Sequence, residues 1–256
     1  MSAKDYTLTS PDGKIVMTVS AGSEFKWTAS FNGRVVIASA EAGMVLGDGR
    51  ILGKDEKISR ATFGKIDESI EPVVACKRSV VENRCNTLLI AFRSGASMQF
   101  RAYNDGIAYR FETKSKNDLV VRKEIVDFRL PEGSYAWYPL EESMMSHNER
   151  LFIYSSLDTI GEKHLASLPV LFSTEGINVL ATEADVEDYA GLWLRGADKG
   201  RMHGIQPQYP ETEKLTTDRD LHVTSTKDYV AVTKGTRTFP WRIFIITEED
   251  GGLVES

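Results

Sequence analysis

Residues 101–111 read RAYNDGIAYRF, two β-rich runs on either side of an Asn104-Asp105-Gly106 turn. An Asp-Gly step between such runs signals a tight hairpin, because Gly adopts φ > 0 with no Cβ to clash. The same grammar extends in both directions. Upstream, Ser10-Pro11-Asp12-Gly13 separates residues 6–9 from the alternating run 14–20, with Pro fixing φ and Gly closing the turn. Asn32-Gly33 separates residues 25–31 from 34–38 in the manner of a two-residue hairpin loop. Further strands are expected at residues 73–77, 86–93, 96–103, 107–113, 119–127, 134–138, 168–173, 177–182, 192–195, 228–232 and 241–246.

Helical periodicity is scarce. Residues 184–189 read as one helical turn, 56–65 as irregular chain, and the polar, Pro-containing stretch 201–221 as a long rim loop. The interior has no linker rich in Pro, Gly or Ser and no repeat of fixed period. So many strands in one unbroken stretch exceed an immunoglobulin-sized domain. The expectation is a single all-β domain over residues 1–256, built as two large antiparallel sheets packed face to face.

Composition narrows the function classes. Hydrophobic residues make up 41% of the 256, enough for a core that needs neither disulfides nor metals. The net charge of −6 and the scattered Lys and Arg argue against a nucleic-acid-binding face. No stretch approaches the roughly 20 apolar residues of a membrane helix. The opening MSAKDYTLTSPDGK is polar and contains no secretory h-region, so the expectation is a cytoplasmic protein or one whose leader lies elsewhere. Cys76 and Cys85 would lie about 30 Å apart on a single strand. Two free thiols are therefore expected, unless residues 79–83 form a hairpin loop that brings them together.

Little in the sequence is overtly catalytic. His147, His164, His203 and His222 are widely separated and none has metal-ligand spacing. Nucleophile-elbow, Walker and dinucleotide motifs are absent. With 37 carboxylates, pairs such as Glu141-Glu142 carry no information by themselves. Two segments are less bland. Arg101–Phe111 brackets aromatics with arginines, which reads equally as a structural ion-pair set or as a site. In residues 181–189, ATEADVEDY, a strand ends among carboxylates of the kind that suit a hard cation, though a solvated acidic edge is the commoner reading of such a run.

In order along the chain, Ser10-Pro11-Asp12-Gly13-Lys14, RAYNDGIAYRF, Thr182-Glu183-Ala184 with Asp188-Tyr189, Thr238-Phe239-Pro240-Trp241-Arg242 and Gly252-Leu253 resemble the N-terminal domain of glycoside hydrolase family 97. That family contains the Bacteroides-type α-glucosidases and α-galactosidases. The resemblance implies a galactose-mutarotase-like β-super-sandwich followed in the parent by a catalytic (β/α)₈ barrel. A barrel alone takes about 250 residues, so this chain would be a domain separated from its barrel or a stand-alone gene.

By the same resemblance, Glu183 is implied to supply one ligand to a calcium ion whose other ligands come from the barrel, leaving the isolated domain without calcium. Ala190 departs from the family, which usually has Pro there. Arg101, Asn104, Asp105, Arg110, Trp241 and Arg242 are expected in structural or interdomain roles. The implied partners are the domain's own barrel and an α-linked oligosaccharide, and the parent's implied location is periplasmic or secreted. A face that normally meets a barrel would favour self-association.

The alternative is a stand-alone carbohydrate-binding module. Trp137 and Tyr138 are its foremost sugar-stacking candidates, with Trp193 and Tyr209 behind them. A mutarotase-like epimerase needs a facing His and Glu, and no histidine sits in a segment that supplies one.

Overall fold

Period-two alternation is the rule from the first strands. In Ile15–Ala21, Ile15, Met17, Val19 and Ala21 are buried and the residues between them are not. The computed structural model describes residues 4–75 and 77–256. The chain opens with an antiparallel meander of β1 (Lys4–Thr9), β2 (Ile15–Ala21), β3 (Phe25–Phe31) and β4 (Arg34–Leu46), and the short β5 (Ile51–Leu52) folds back on β4. A second meander follows: β6 (Ile58–Ile70), β7 (Val81–Phe92), β8 (Ser97–Tyr103) and β9 (Gly106–Thr113). Next, β10 (Leu119–Arg129) returns to the first sheet beside β4. Beyond it lie β11 (Tyr135–Glu141), β12 (Phe152–Ser156), β13 (Leu165–Ala166), β14 (Val170–Thr174) and β15 (Ile177–Ala184). The remainder is β16 (Trp193–Gly196), β17 (Arg201–Ile205), β18 (Pro210–Leu215), β19 (Leu221–Thr226), β20 (Ala231–Thr233), β21 (Arg237–Thr238), β22 (Trp241–Thr247) and a terminal helix α1 (Asp250–Glu255).

Two antiparallel layers result. The first runs β1-β2-β3-β4-β10-β17-β16-β13, with β20 beside the start of β10. The second runs β6-β7-β8-β9-β22-β15-β14-β11-β12. Strand β11 joins them, since its Leu140 and Glu141 leave the second layer to pair with β13. One core fills the space between the layers. Aromatic rings cross it: Trp27 meets Phe244 edge-on at 5.2 Å, and Phe128 meets Phe172 at 5.6 Å and Phe244 at 5.1 Å. This is the large antiparallel β-sandwich that the sequence predicts. No helix among the described residues is long and apolar enough to cross a membrane.

Several local expectations change. Residues 56–65 are not irregular: β6 runs through most of them and pairs along β7. The strand expected at 73–77 does not form in 73–75, and Cys76 lies outside the described residues. Cys85 is a buried free thiol. Residues 201–221 form no single loop but contain β17 and the first arm of the β18–β19 hairpin. The stretch 184–189 is not a helical turn either, because Asp185 and Asp188 both take left-handed φ, 61° and 48°.

The two turns read as hairpins use glycine differently. Asn32 and Gly33 both take positive φ, 49° and 78°, as that loop type requires. Gly106 does not take positive φ. It is needed for close approach, since a Cβ there would lie 2.5 Å from the Phe244 carbonyl oxygen.

Candidate functional site

The site begins with a charge that strand alternation sends inward. On β22, Arg242 is in phase with Phe244 and Ile246, so its side chain points into the core and is 2% exposed. It stands opposite Glu183 of β15 on one side and Tyr109 of β9 on the other. Its Nε and Nη2 both donate to Glu124 Oε2 of β10, at 2.9 and 2.8 Å. Its Nη1 donates to Glu183 Oε2. The triad therefore bridges the two layers through charge-assisted bonds.

Glu183 is the most open of the three, with its side chain 15% exposed against 4% for Glu124. The Leu192 amide donates to both of its oxygens, at 3.0 and 3.1 Å. A carboxylate offers about four lone-pair directions, so the Leu192 amide and Arg242 leave Glu183 room for roughly one more contact. Burial pushes the Glu183 carboxyl above its ordinary pKa, against the pull of Arg242. Burial alone would lower Arg242, but Glu124 and Glu183 raise it above its usual value. With both carboxylates ionised the triad carries one net negative charge.

The loop after Glu183 is held by arginines. Arg237 donates to the carbonyls of Glu187 (2.9 Å) and Asp188 (3.3 Å) and lies over the rings of Phe239 and Tyr189. Arg110 reaches Asp185 at 3.2 Å. Burial raises the Tyr189 phenol well above its ordinary range, and the nearby Glu124 carboxylate adds to the shift. A Cβ at Gly191 would sit 3.2 Å from Glu183 Oε1, a tight contact that would press on that carboxylate.

Trp241 points the opposite way from Arg242, onto the outer face of the second layer. Arg101 and Arg110 lie over its ring at 4.4 and 4.3 Å. Arg101 donates to the Tyr103 hydroxyl at 3.1 Å, and its Nε has no partner among the described residues. Arg110 is braced by Gln99 and Glu112. A groove of about 300 Å³ beside Trp241 is lined by Arg101, Tyr103, Asp105, Ile243 and Ile245. Asn104 joins two of the motifs, its Oδ1 accepting from the Asp12 amide at 3.0 Å, while the Asp105 carbonyl accepts from Ile246.

The sugar-stacking candidates separate. Trp137 is 43% exposed, but Tyr138 is only 4% exposed and lies in the core, a correction that follows from alternation along β11. Trp193 is buried as well. The rings beside Trp137 are those of Tyr135 and Tyr154, which the sequence reading passed over. Tyr154 lies 5.1 Å from Tyr135 and 4.7 Å from Trp137. Tyr154 is thus stacked on Tyr135 and tilted against Trp137, and all three rings remain exposed.

Sequence reasoning also passed over Glu124, although a signal was present. After a bulge near Arg122, Glu124 falls in phase with the buried Val126 and Phe128, an acid in a core position. Among the described residues no group of three or more His, Cys, Asp or Glu could hold a metal ion. Glu183 therefore belongs to no such group among the described residues. His203 is tied to Asp127, and His164 to the backbone of Gly161.

Residues 8–256 match the family described as Glycosyl-hydrolase 97 N-terminal. The chain is 30% identical over 263 residues to a retaining alpha-galactosidase of Bacteroides thetaiotaomicron, a match covering 98% of this chain and 40% of that protein. Among solved structures, it resembles a Glycoside Hydrolase Family 97 enzyme from Pseudoalteromonas sp. strain K8 in complex with acarbose. That match has a TM-score of 0.78 at 21% identity and covers 98% of this chain and 37% of the enzyme. A beta-arabinopyranosidase superposes with a TM-score of 0.79 at 19% identity over 96% of this chain and 40% of its own. The chain thus spans about 40% of the length of the curated relative it matches.

Proposed function

The chain belongs to the glycosyl-hydrolase 97 N-terminal family, and we propose that it is the non-catalytic N-terminal domain of an exo-acting α-glycosidase, an α-glucosidase or α-galactosidase. In this reading residues 1–256 are one domain that packs on the catalytic barrel of the same polypeptide, helps wall the pocket for an α-linked oligosaccharide and works in the periplasm or outside the cell. The observation that carries the reading is the placement of Glu183. Arg242 and the Leu192 amide hold its carboxylate at a strand end, and it is the only member of the triad with an edge toward solvent.

That edge fits a single donor to a calcium ion shared with the rest of the protein. Such an ion takes about six to eight oxygens, so the other donors would have to come from outside this domain. Bound there, calcium would act as a Lewis acid beside the sugar. This chain's own task is narrower: Arg242 and Leu192 fix the Glu183 rotamer, and Trp241 with its two arginines supports the adjoining surface.

The test is Glu183→Gln in the polypeptide that includes the catalytic portion, with calcium affinity read by calorimetry beside α-glycosidase activity. A loss of at least tenfold in affinity with an unchanged circular dichroism spectrum is expected. Unchanged affinity would remove Glu183 from the reading.

The exposure of Trp137 favours a second reading, a stand-alone carbohydrate-binding module. Titration of the 256-residue chain with a maltooligosaccharide and with an α-galactoside separates the two, since only the module binds sugar by itself.

A further inference from the structure

Residues 209–227 form a hairpin set apart from the sandwich. Strands β18 and β19 pair only with each other, as a two-stranded sheet apart from the sandwich, and every residue of β18 is exposed. The hairpin is joined at its base by backbone bonds from Tyr209 to Tyr229 and from Lys227 to Tyr209. Further out, threonine and serine hydroxyls of Thr212, Thr224 and Ser225 link the two strands. A lone hairpin is marginally stable in water, and its unpaired edges invite association.

One face of this arm is apolar at its tip and carries Glu213 opposite Val223 further in. Leu215 and Leu221 stand opposite each other near the tip, 59% and 49% exposed, and Val223 follows Leu221 on the same face. Val223 also lines a cleft of about 330 Å³ between the arm and Tyr189 and Ala190 of the loop that follows Glu183. Pro207, Pro210 and Val230 complete much of its wall. Apolar side chains therefore stand beside the Glu183 loop, at Val223, and at the tip of the arm, at Leu215 and Leu221. Sugar sites combine apolar surface with a few convergent polar groups. This cleft is walled by Ala, Val and Pro side chains together with Tyr189, Tyr209, Asp188 and Gln208, so its occupant is decided by position and not by lining.

Building on the domain reading above, we propose that the arm is a clasp that closes over the catalytic portion of the same polypeptide, with Leu215, Leu221 and Val223 as its gripping face. The occupant follows from the comparisons and from position. The match is to an N-terminal family, and about 60% of the α-galactosidase relative lies outside the matched region, from the 40% covered. The arm also springs from the end of the sandwich where Glu183 faces outward, so it extends that interface.

The experiment is hydrogen–deuterium exchange on the 256-residue chain and on the longer polypeptide, with glycosidase activity measured on the latter. The expected result is fast exchange at residues 210–226 in the chain alone and at least tenfold slower exchange in the longer protein. A paired check is Leu215→Asp with Leu221→Asp, which should leave the melting temperature of the 256-residue chain within about 1 °C and lower that of the longer protein by several degrees. Equal exchange in an active longer protein overturns the clasp and leaves the domain reading standing. A reading frame with no catalytic portion overturns both. Protection of the arm that rises with concentration of the chain alone assigns the face to a second copy. Protection induced by added oligosaccharide assigns it to a sugar. Either of these last results overturns the clasp.

Discussion

Arg242→Met removes the one cation of a buried triad while nearly preserving side-chain length. In the parent, Arg242 gives two hydrogen bonds to Glu124 and one to Glu183. Deleting one partner of a buried ion pair costs about 3–5 kcal/mol, because the other charge is left buried and unpaired. For a chain of this size, roughly 2–4 °C is lost per kcal/mol, so the melting temperature should fall by about 10 °C. The loss should also depend on pH. Burial already holds the Glu183 carboxyl above its ordinary pKa. A raised folded-state pKa means that its contribution to stability is complete below the unfolded carboxylate value and is lost as pH rises through the folded value. Without Arg242 that loss deepens, so the variant should be penalised more at pH 8 than at pH 4. Thermal melts followed by circular dichroism at both pH values, with denaturant titrations for free energies, read the effect. Adding Glu183→Gln to Arg242→Met should recover part of the loss at pH 8, since it removes one unpaired charge. If Arg242→Met melts within about 2 °C of the parent at both pH values, the triad does not tie the layers together and the reasoning fails.

Glu141 provides the opposite sign. Burial alone would raise its pKa, but hydrogen bonds from Ser146, Arg150 and Ser167 outweigh burial and hold it below the ordinary value. Its contribution is therefore present above the unfolded carboxylate pKa and is lost as pH falls through the folded one, so Glu141→Gln should flatten the acid limb of the stability curve below about pH 4. Neighbouring aromatics on β11 should differ sharply: Tyr138→Ala should cost about 3–5 kcal/mol as a large core deletion, and Trp137→Ala only about 1 kcal/mol in lost ring contacts. Equal effects in denaturant unfolding would contradict the alternation. Gly106→Ala should cost about 1–3 kcal/mol by overpacking, because its Cβ would press on the Phe244 carbonyl, which cannot rotate away as a side chain would. A neutral result in the same unfolding assay would show that the β9–β22 contact has slack.

The architecture was legible wherever one face of a strand meets the core. Ile15, Met17 and Val19 alternate because β2 has a dry side and a wet side, and Asn32-Gly33 declares its hairpin because both residues must take positive φ. Legibility fails where that contrast disappears. Strands β18 and β19 face water almost all round, so no hydrophobic period marks them, and their Thr, Glu and Pro read as loop. The run of 184–189 has helix-forming residues, but Arg237 and Arg110 hold the loop in a shape with two left-handed aspartates, a tertiary effect that local propensity cannot anticipate. In the candidate site, Glu183 and Arg242 were each visible in the sequence, but their contact depends on the register of β15 against β22. Glu124 was hidden by the bulge that shifts the phase of β10.

The triad's energetics bear on what this end of the sandwich is for. Three buried charges stabilise a fold no better than well-packed apolar side chains of similar volume would. Their advantage is directional, because a guanidinium fork accepts only a narrow range of carboxylate positions. Arg242 and Glu124 are enclosed, so their geometry serves the interior alone. Glu183 is held by the same fork and by the Leu192 amide, yet keeps one edge open beside a loop pinned by Arg237. Trp241, the residue before Arg242, leaves the opposite face of β22 and is gripped by Arg101 and Arg110. One dipeptide thus fixes an inward carboxylate and an outward aromatic surface at the same strand end. A purely structural anchor would need only the first of these. The second of these, with the arm nearby, is the feature that the proposed docking on another domain would use.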